Sequence, residues 1–358
     1  MNLSQVLHQC EQSIWLDGFE RGWISSGGLQ RYIEEDGLTG VRSNFQSLQA
    51  AIESQEYDRD FITLAQQGIS QTARSDYDYV IVRDLQLAAD LLKPVHTQTQ
   101  GRDGYVQIDL PPDIWLDAKT AIASAQNIWQ SVGWSNLLLR IPATPLLLPV
   151  IEQLIGDRIN VNATFVFSPT LYEQVFDRYL IGLERLIQQG ELLGDVVCFA
   201  SASMGCLDAM MPPFMASSNP AFSVLQARLL YQHYRMLHHS DRWQTLPEEV
   251  KPLRLIWDCT DIPPESAWCY LQQLAFPETG MLLSPSTVEM YRGVSLIRNH
   301  WADGKQSGRL IGEPRESCLD EQVEQLVDAE MARTLREAKL LLTAFHQLLD
   351  TIKHKRRR

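Results

Sequence analysis

Nowhere in this 358-residue chain do apolar residues run for the roughly 18 positions that a membrane-spanning helix needs. A membrane protein is therefore not expected. The opening Met-Asn-Leu-Ser-Gln-Val-Leu-His-Gln-Cys lacks the basic stretch and apolar core of a secretory signal. Basic residues are in the minority, 31 Lys and Arg against 44 Asp and Glu, for a net charge of −13. A general nucleic-acid binder needs a cationic face to displace counterions, so no nucleic-acid partner is expected. Six cysteines (Cys10, Cys198, Cys206, Cys259, Cys269 and Cys318) contain no CxxC pair and no metal-ligand spacing. They read as reduced thiols of a cytoplasmic protein without a metal. His238-His239 stands at the end of a helical stretch and reads as a cap, not as a pair of ligands. No Gly-x-Gly-x-x-Gly follows the first strand, which argues against a dinucleotide cofactor; no cofactor is expected. No internal repeat or dividing linker is visible.

The composition, 45% hydrophobic and 21% charged, is that of a folded domain with a substantial core. Short β-like runs alternate with longer helical patterns along the chain. Strands are expected at 13–17, 39–43, 105–110, 136–141, 160–165, 196–201, 253–258 and 280–284. Runs such as Leu137-Leu138-Leu139 and Val196-Val197-Cys198-Phe199 are continuously apolar, as in strands covered on both faces of a parallel sheet. Helical spacing marks 118–130 and 170–189, the second preceded by Ser168-Pro169 as N-cap and first residue. Pro145 suggests a similar start for 146–155. Asp84 and Asp90 fall on a helical pattern and read as solvated. Eight strands with interleaved helices predict an α/β fold, a (β/α)₈ TIM barrel with additional C-terminal helices. The whole chain, 1–358, reads as a single barrel domain. Within it, 299–317 is a loop, 319–352 a helical segment packed outside the barrel, and 353–358 a solvated basic tail.

Several segments together resemble the transaldolase family, in its longer bacterial branch within the aldolase superfamily. They are Ser13-Ile-Trp-Leu-Asp17, Ile33-Glu-Glu-Asp-Gly-Leu-Thr-Gly-Val41 with Ser43-Asn44, Ala88-Ala-Asp-Leu-Leu92, Leu139-Arg-Ile-Pro-Ala-Thr144, Ile159-Asn-Val-Asn-Ala-Thr164, Phe167-Ser168 and Tyr179-Leu-Ile-Gly-Leu-Glu184. The resemblance is dense over roughly 13–190 and thinner beyond; the order and spacing of the segments carry it. It implies carbohydrate metabolism, and a lysine on the fourth strand that forms a Schiff base with a ketose phosphate. It also implies an acid/base aspartate on strand one, a glutamate on strand three, polar groups that orient the substrate, and arginines that hold its phosphate.

Residue by residue, the resemblance maps Asp17 onto the strand-one acid/base and Asn44 onto the strand-two asparagine, although Arg42 and Phe45 replace the usual threonine and proline around it. Asp109 stands for the glutamate, one methylene shorter. Asn162 and Thr164 match the strand-five pair, and Ser201 the strand-six serine. Arg140 occupies the lysine position, and Cys206 that of the strand-six phosphate arginine. After strand seven the usual pattern has become Cys259-Thr-Asp-Ile-Pro-Pro264, with Asp258 a further site candidate just before it.

Imine formation needs a neutral nitrogen with a lone pair, and a guanidinium stays protonated and delocalised. Arg140 therefore cannot be the Schiff-base nucleophile. It is expected either to pair with Asp17 and Asp109 as a buried ionic network, or to present its fork to a ligand while one of those aspartates moves a proton. Three functions stay open. One is binding or conversion of a small polar or anionic metabolite, such as a sugar, by Asp17, Asp109 and Arg140. A second is a catalytically dead scaffold or regulator. The third is a genuine sugar-phosphate transaldolase of the pentose phosphate pathway. A homo-oligomer is compatible with each.

Overall fold

The apolar runs do form strands, and all of them pair in parallel. In the computed structural model, residues 11–19, 21–44, 56–67, 73–191, 193–209, 222–292, 329, 331–333 and 336 are described. Eight strands close into a barrel in sequence order: β1 Ser13–Asp17, β2 Gly40–Arg42, β3 Tyr105–Asp109, β4 Leu137–Pro142, β5 Val161–Thr164, β6 Cys198–Ser203, β7 Arg254–Asp258 and β8 Gly280–Leu283. This is the (β/α)₈ barrel that the strand count predicts, with each expected strand displaced by no more than two residues at either end.

Alternate residues of each strand face the barrel axis. One interior layer is apolar: Trp15, Tyr105, Leu138, Val197, Phe199, Ile256 and Leu282 form a cluster separate from the core between strands and helices. Below it, at the N-terminal end, Arg254 closes the barrel by donating to Ser13 Oγ (2.7 Å), Asp103 Oδ1 (3.2 Å) and the Glu278 carbonyl (3.0 Å). Gly40 lies opposite Trp15 in the register, and a Cβ there would meet the indole at 2.5 Å. Gly40→Ala is expected to cost about 1–3 kcal/mol by overpacking. It should appear as a lower urea midpoint with unchanged slope; an unaltered midpoint would show that the ring can give way.

The helix Pro169–Gln189 starts as anticipated, with Ser168 Oγ accepting from Leu171 N at 3.2 Å. The helix expected at 146–155 begins later than Pro145 suggested, at Leu148, with Pro149 in its first turn. Thr144 makes a separate turn first, its carbonyl accepting from Leu147 N and Leu148 N. Asp84 is a correction. It is buried, and accepts from Arg21 Nε (2.5 Å) and Tyr57 OH (2.6 Å). It shares the i, i+4 face that turns Val80 and Ala88 inward; Asp90 on the same helix is exposed. The segment 319–352 is described only at Ala329, 331–333 and Arg336, all helical, with Met331 packed on the core. The loop 299–317 and the tail 353–358 lie outside the described residues. No helix among the described residues is long and apolar enough to cross a membrane.

His238 does cap its helix. Its Nδ1–H donates to the Tyr234 carbonyl (2.7 Å), while Nε2 accepts from Leu253 N (3.0 Å). That pair of bonds fixes a neutral ring, and burial brings its pKa down to about 4. An unfolded histidine titrates near 6.5, so the unfolded chain binds more protons between those values and stability rises with pH across the window. Urea unfolding is expected to weaken from pH 6.5 to 4.5, and His238→Leu to flatten that fall. An identical pH slope in the variant would contradict the assignment.

Candidate functional site

A parallel barrel brings every strand's C-terminal end to one rim, where side chains distant in sequence meet. Asp17, Arg42, Asp109 and Asp258 each end a strand. Arg140 stands two residues before the end of β4, paired in register with Asp109 on β3 and Asn162 on β5. Thr164 ends β5 beside Pro142, and Ser203 on β6 pairs with Asp258 on β7.

Two guanidiniums organise this rim. Arg42 forms an ion pair through Nε with Asp17 Oδ1 and through Nη1 with Asp258 Oδ2, the second at 2.7 Å. Asn44 Nδ2 donates to the other oxygen of Asp17 (2.9 Å). Thr260 donates its N–H (3.1 Å) and hydroxyl (2.6 Å) to Asp258 Oδ1. Burial, the largest single influence on Asp258, raises its pKa, but Arg42, Arg140 and the Thr260 bonds together hold it below the usual carboxylate range. Burial opposes the charge on Arg42 as well, and Asp17 and Asp258 overcome it and raise its pKa.

Arg140 is arranged differently. Its Nε lies 3.1 Å from Asp109 Oδ1 and its Nη2 4.0 Å from Asp258 Oδ2. The Nε–H does not point along the line to Asp109, so the contact is one of charge, and both Nε and Nη1 are buried without a hydrogen-bond acceptor. Burial, followed in weight by Asp109's opposing pull and Arg42's repulsion, leaves its pKa below the ordinary arginine value. The expected network is therefore corrected in one arm. Arg140 pairs with Asp109 but not with Asp17, because Arg42, adjacent to Asp17 in the β1–β2 register, already holds that carboxylate.

Beneath the ion pairs lies a polar chain. Ser201 Oγ donates to Asn162 Oδ1 (2.8 Å), and Asn162 Nδ2 donates to Gln107 Oε1 (2.5 Å). Gln107 Nε2 is buried with no acceptor. Thr164 is buried at the strand end. Next to it Phe165 holds a left-handed φ of 63°, a conformation that costs a non-glycine residue roughly 1–2 kcal/mol, and its ring packs edge-on to Trp115 and stacked on Phe167. Cys206 sits on the short helix Met204–Ala209 after β6, with Sγ 3.4 Å from Asp261 Oδ2, which also accepts from Ser203 Oγ (3.1 Å).

Asp17, Asn44, Asp109, Arg140, Asn162, Thr164, Ser201 and Asp258 thus stand at or just inside one mouth, with Cys206 on the helix behind its β6–β7 side. Arg42, Gln107, Thr260 and Asp261 also take part, without having been expected there from the sequence. Gln107 had a visible signal: alternation puts 105, 107 and 109 on one face of β3. Asp258 is more central than a secondary candidate, since it lies between both guanidiniums.

These features define a (β/α)₈ barrel whose C-terminal mouth is lined by carboxylates, guanidiniums and amides. The chain belongs to the transaldolase/fructose-6-phosphate aldolase family, whose sequence model matches residues 14–256. It is similar to Transaldolase 2 of a Nostoc species, at 29% identity over 96% of this chain and 95% of that protein. A transaldolase of Trichodesmium erythraeum is 30% identical over 78% of each chain. Transaldolase 1 of Streptomyces avermitilis is 33% identical over 75% of this chain and 73% of its own.

Proposed function

We propose that this family member binds a small, polar, sugar-like metabolite in the barrel mouth and acts on it by acid–base and electrostatic chemistry, without a Schiff base. One observation carries the reading: β4 bears Arg140, and none of the eight strands contains a lysine. Lys93 lies on the helix Ala73–Gln98, with its ammonium over Trp134, and Lys119 on the helix Ala118–Val132. Lys251 precedes β7, at the end of the barrel away from the mouth. Lys305, Lys339, Lys353 and Lys355 are outside the described residues. In this reading Asp17 and Asp109 move protons and Arg140 polarises an oxygen of the ligand. Asn44, Asn162, Thr164, Ser201 and Asp258 keep the mouth polar, which supports a retained ligand site.

The second reading is a genuine transaldolase, and the names of the relatives favour it. A thermal-shift screen of polyols, sugars, sugar acids and sugar phosphates tests the ligand site directly. A ligand at a hundred times its Kd stabilises the native state by about 2.7 kcal/mol. A stabilising compound is expected, with the effect lost in Arg140→Ala. If no compound stabilises the wild type, or the variant responds equally, the proposal fails.

A further inference from the structure

Apart from Arg140 Nε, which faces Asp109, two buried N–H donor groups without acceptors occupy neighbouring strands of the mouth, and they have a common explanation. Leaving a buried donor unpaired costs about 1–3 kcal/mol, and native structures seldom do so without a reason. Gln107 Nε2 and Arg140 Nη1 are both in this state. Gln107 is fully buried and Arg140 is 6% exposed. Ser201 donates to Asn162 and Asn162 donates to Gln107 Oε1, so the Gln107 NH₂ is the end left over. Asn162 is also the register partner of Arg140, so the Gln107 amide reaches toward β5 beside the guanidinium.

We infer that Gln107 Nε2 and Arg140 Nη1 form one oxygen-binding subsite, and that it enolises an uncharged α-hydroxy ketone with Asp109 as base. This rests on the non-imine reading above. In the step, Asp109 takes a proton from the carbon next to the carbonyl. The C–H electron pair becomes the C=C bond of an enediolate, and the carbonyl π pair moves onto the oxygen held by Gln107 and Arg140. Return of a proton from Asp109 to carbon completes the cycle, and no oxidant or co-reactant is consumed. Asp109 suits the base because it flanks the same guanidinium at Nε. Asp17 has one oxygen paired to Arg42 and the other to Asn44.

Charge selects the ligand. Among the described residues the rim carries four carboxylates (Asp17, Asp109, Asp258 and Asp261) against two guanidiniums, and Arg42 is committed to Asp17 and Asp258. Hydroxyls can donate to those carboxylates, whereas a phosphate dianion is repelled.

The test follows dihydroxyacetone in D₂O by proton NMR, with the full-length protein against a protein-free control, and dihydroxyacetone phosphate in parallel. The protein should speed loss of the methylene signal, at least tenfold faster for the uncharged ketone than for its phosphate. Gln107→Glu keeps the acceptor for Asn162 and removes the donor. It should slow exchange about 100-fold, a usual effect of losing one oxyanion donor. Gln107→Met must act in the same direction, and both variants are checked for an intact thermal transition. Exchange no faster than the control overturns the inference, as does exchange unaffected in both folded variants or faster with the phosphate. Borohydride is added to the same wild-type samples before intact-mass measurement. A sugar-sized mass increase would overturn the non-imine reading itself, while unchanged mass with any of the contrary exchange results overturns the subsite alone.

Discussion

Replacing Arg42 by methionine is expected to lower the unfolding free energy by about 3–5 kcal/mol at neutral pH, the usual cost of leaving buried charges without their partner. Both carboxylates that it pairs with are nearly enclosed, with side-chain exposures of 11% for Asp17 and 7% for Asp258. Methionine fills most of the volume, so the loss would report charge and not a cavity. The pH dependence has a definite sign. In the wild type Asp258 has a depressed folded-state pKa. Its contribution is therefore complete above the unfolded carboxylate pKa and is lost as the pH falls through the folded value. In the variant, Asp258 loses its strongest cationic neighbour, burial then favours its protonated form, and the penalty should shrink at pH 5 relative to pH 7. Urea titrations of both proteins at the two pH values measure this. A loss under about 1 kcal/mol, as for an exposed pair, would show that Arg42 does not hold the mouth together.

Arg140→Lys is expected not to produce transaldolase turnover. A primary amine at residue 140 would stand near Asp109 and Asp258, but Asp17, the carboxylate expected to move protons, would stay tied to Arg42 and Asn44. The phosphate of a sugar phosphate would meet a second obstacle beyond β6, where Cys206 faces Asp261. Transfer of a three-carbon unit from fructose 6-phosphate to an aldose acceptor should therefore stay at least about 100-fold below ordinary enzyme turnover of roughly 10 s⁻¹. Turnover at ordinary rates in this single variant would show that the rest of the mouth is still that of a Schiff-base enzyme.

The barrel was legible because its strands carry their signature locally. Leu137-Leu138-Leu139 lies within β4 and Val196-Val197-Cys198-Phe199 leads into β6; both are apolar at every position, as strands covered on both faces are. Resemblance placed the strand-end residues, and the mouth does gather them. What could not be read was pairing. Asp17 and Asp258 are separated by most of the chain, and their shared partner Arg42 appeared only as a departure from the family pattern. The choice between Arg42 and Arg140 for Asp17 depends on which strand lies beside β1, a fact of closure and register that periodicity does not contain. Asp84 failed for a related reason. A charged residue on a helix reads as solvated unless its face is known, and the face here is fixed by Arg21 and Tyr57 arriving from other segments. Gln107 was within reach, since a polar residue flanked by Val106 and Ile108 on an interior-facing position marks a site that an apolar residue could otherwise have filled.

Incubating the wild-type protein with fructose 6-phosphate, reducing with borohydride and weighing the intact chain asks whether any nitrogen of this protein condenses with a ketone. Because none of the eight strands carries a lysine, the mass is predicted to stay that of the unmodified polypeptide. A stable increment of a reduced sugar fragment would contradict the account and return the protein to covalent aldol chemistry.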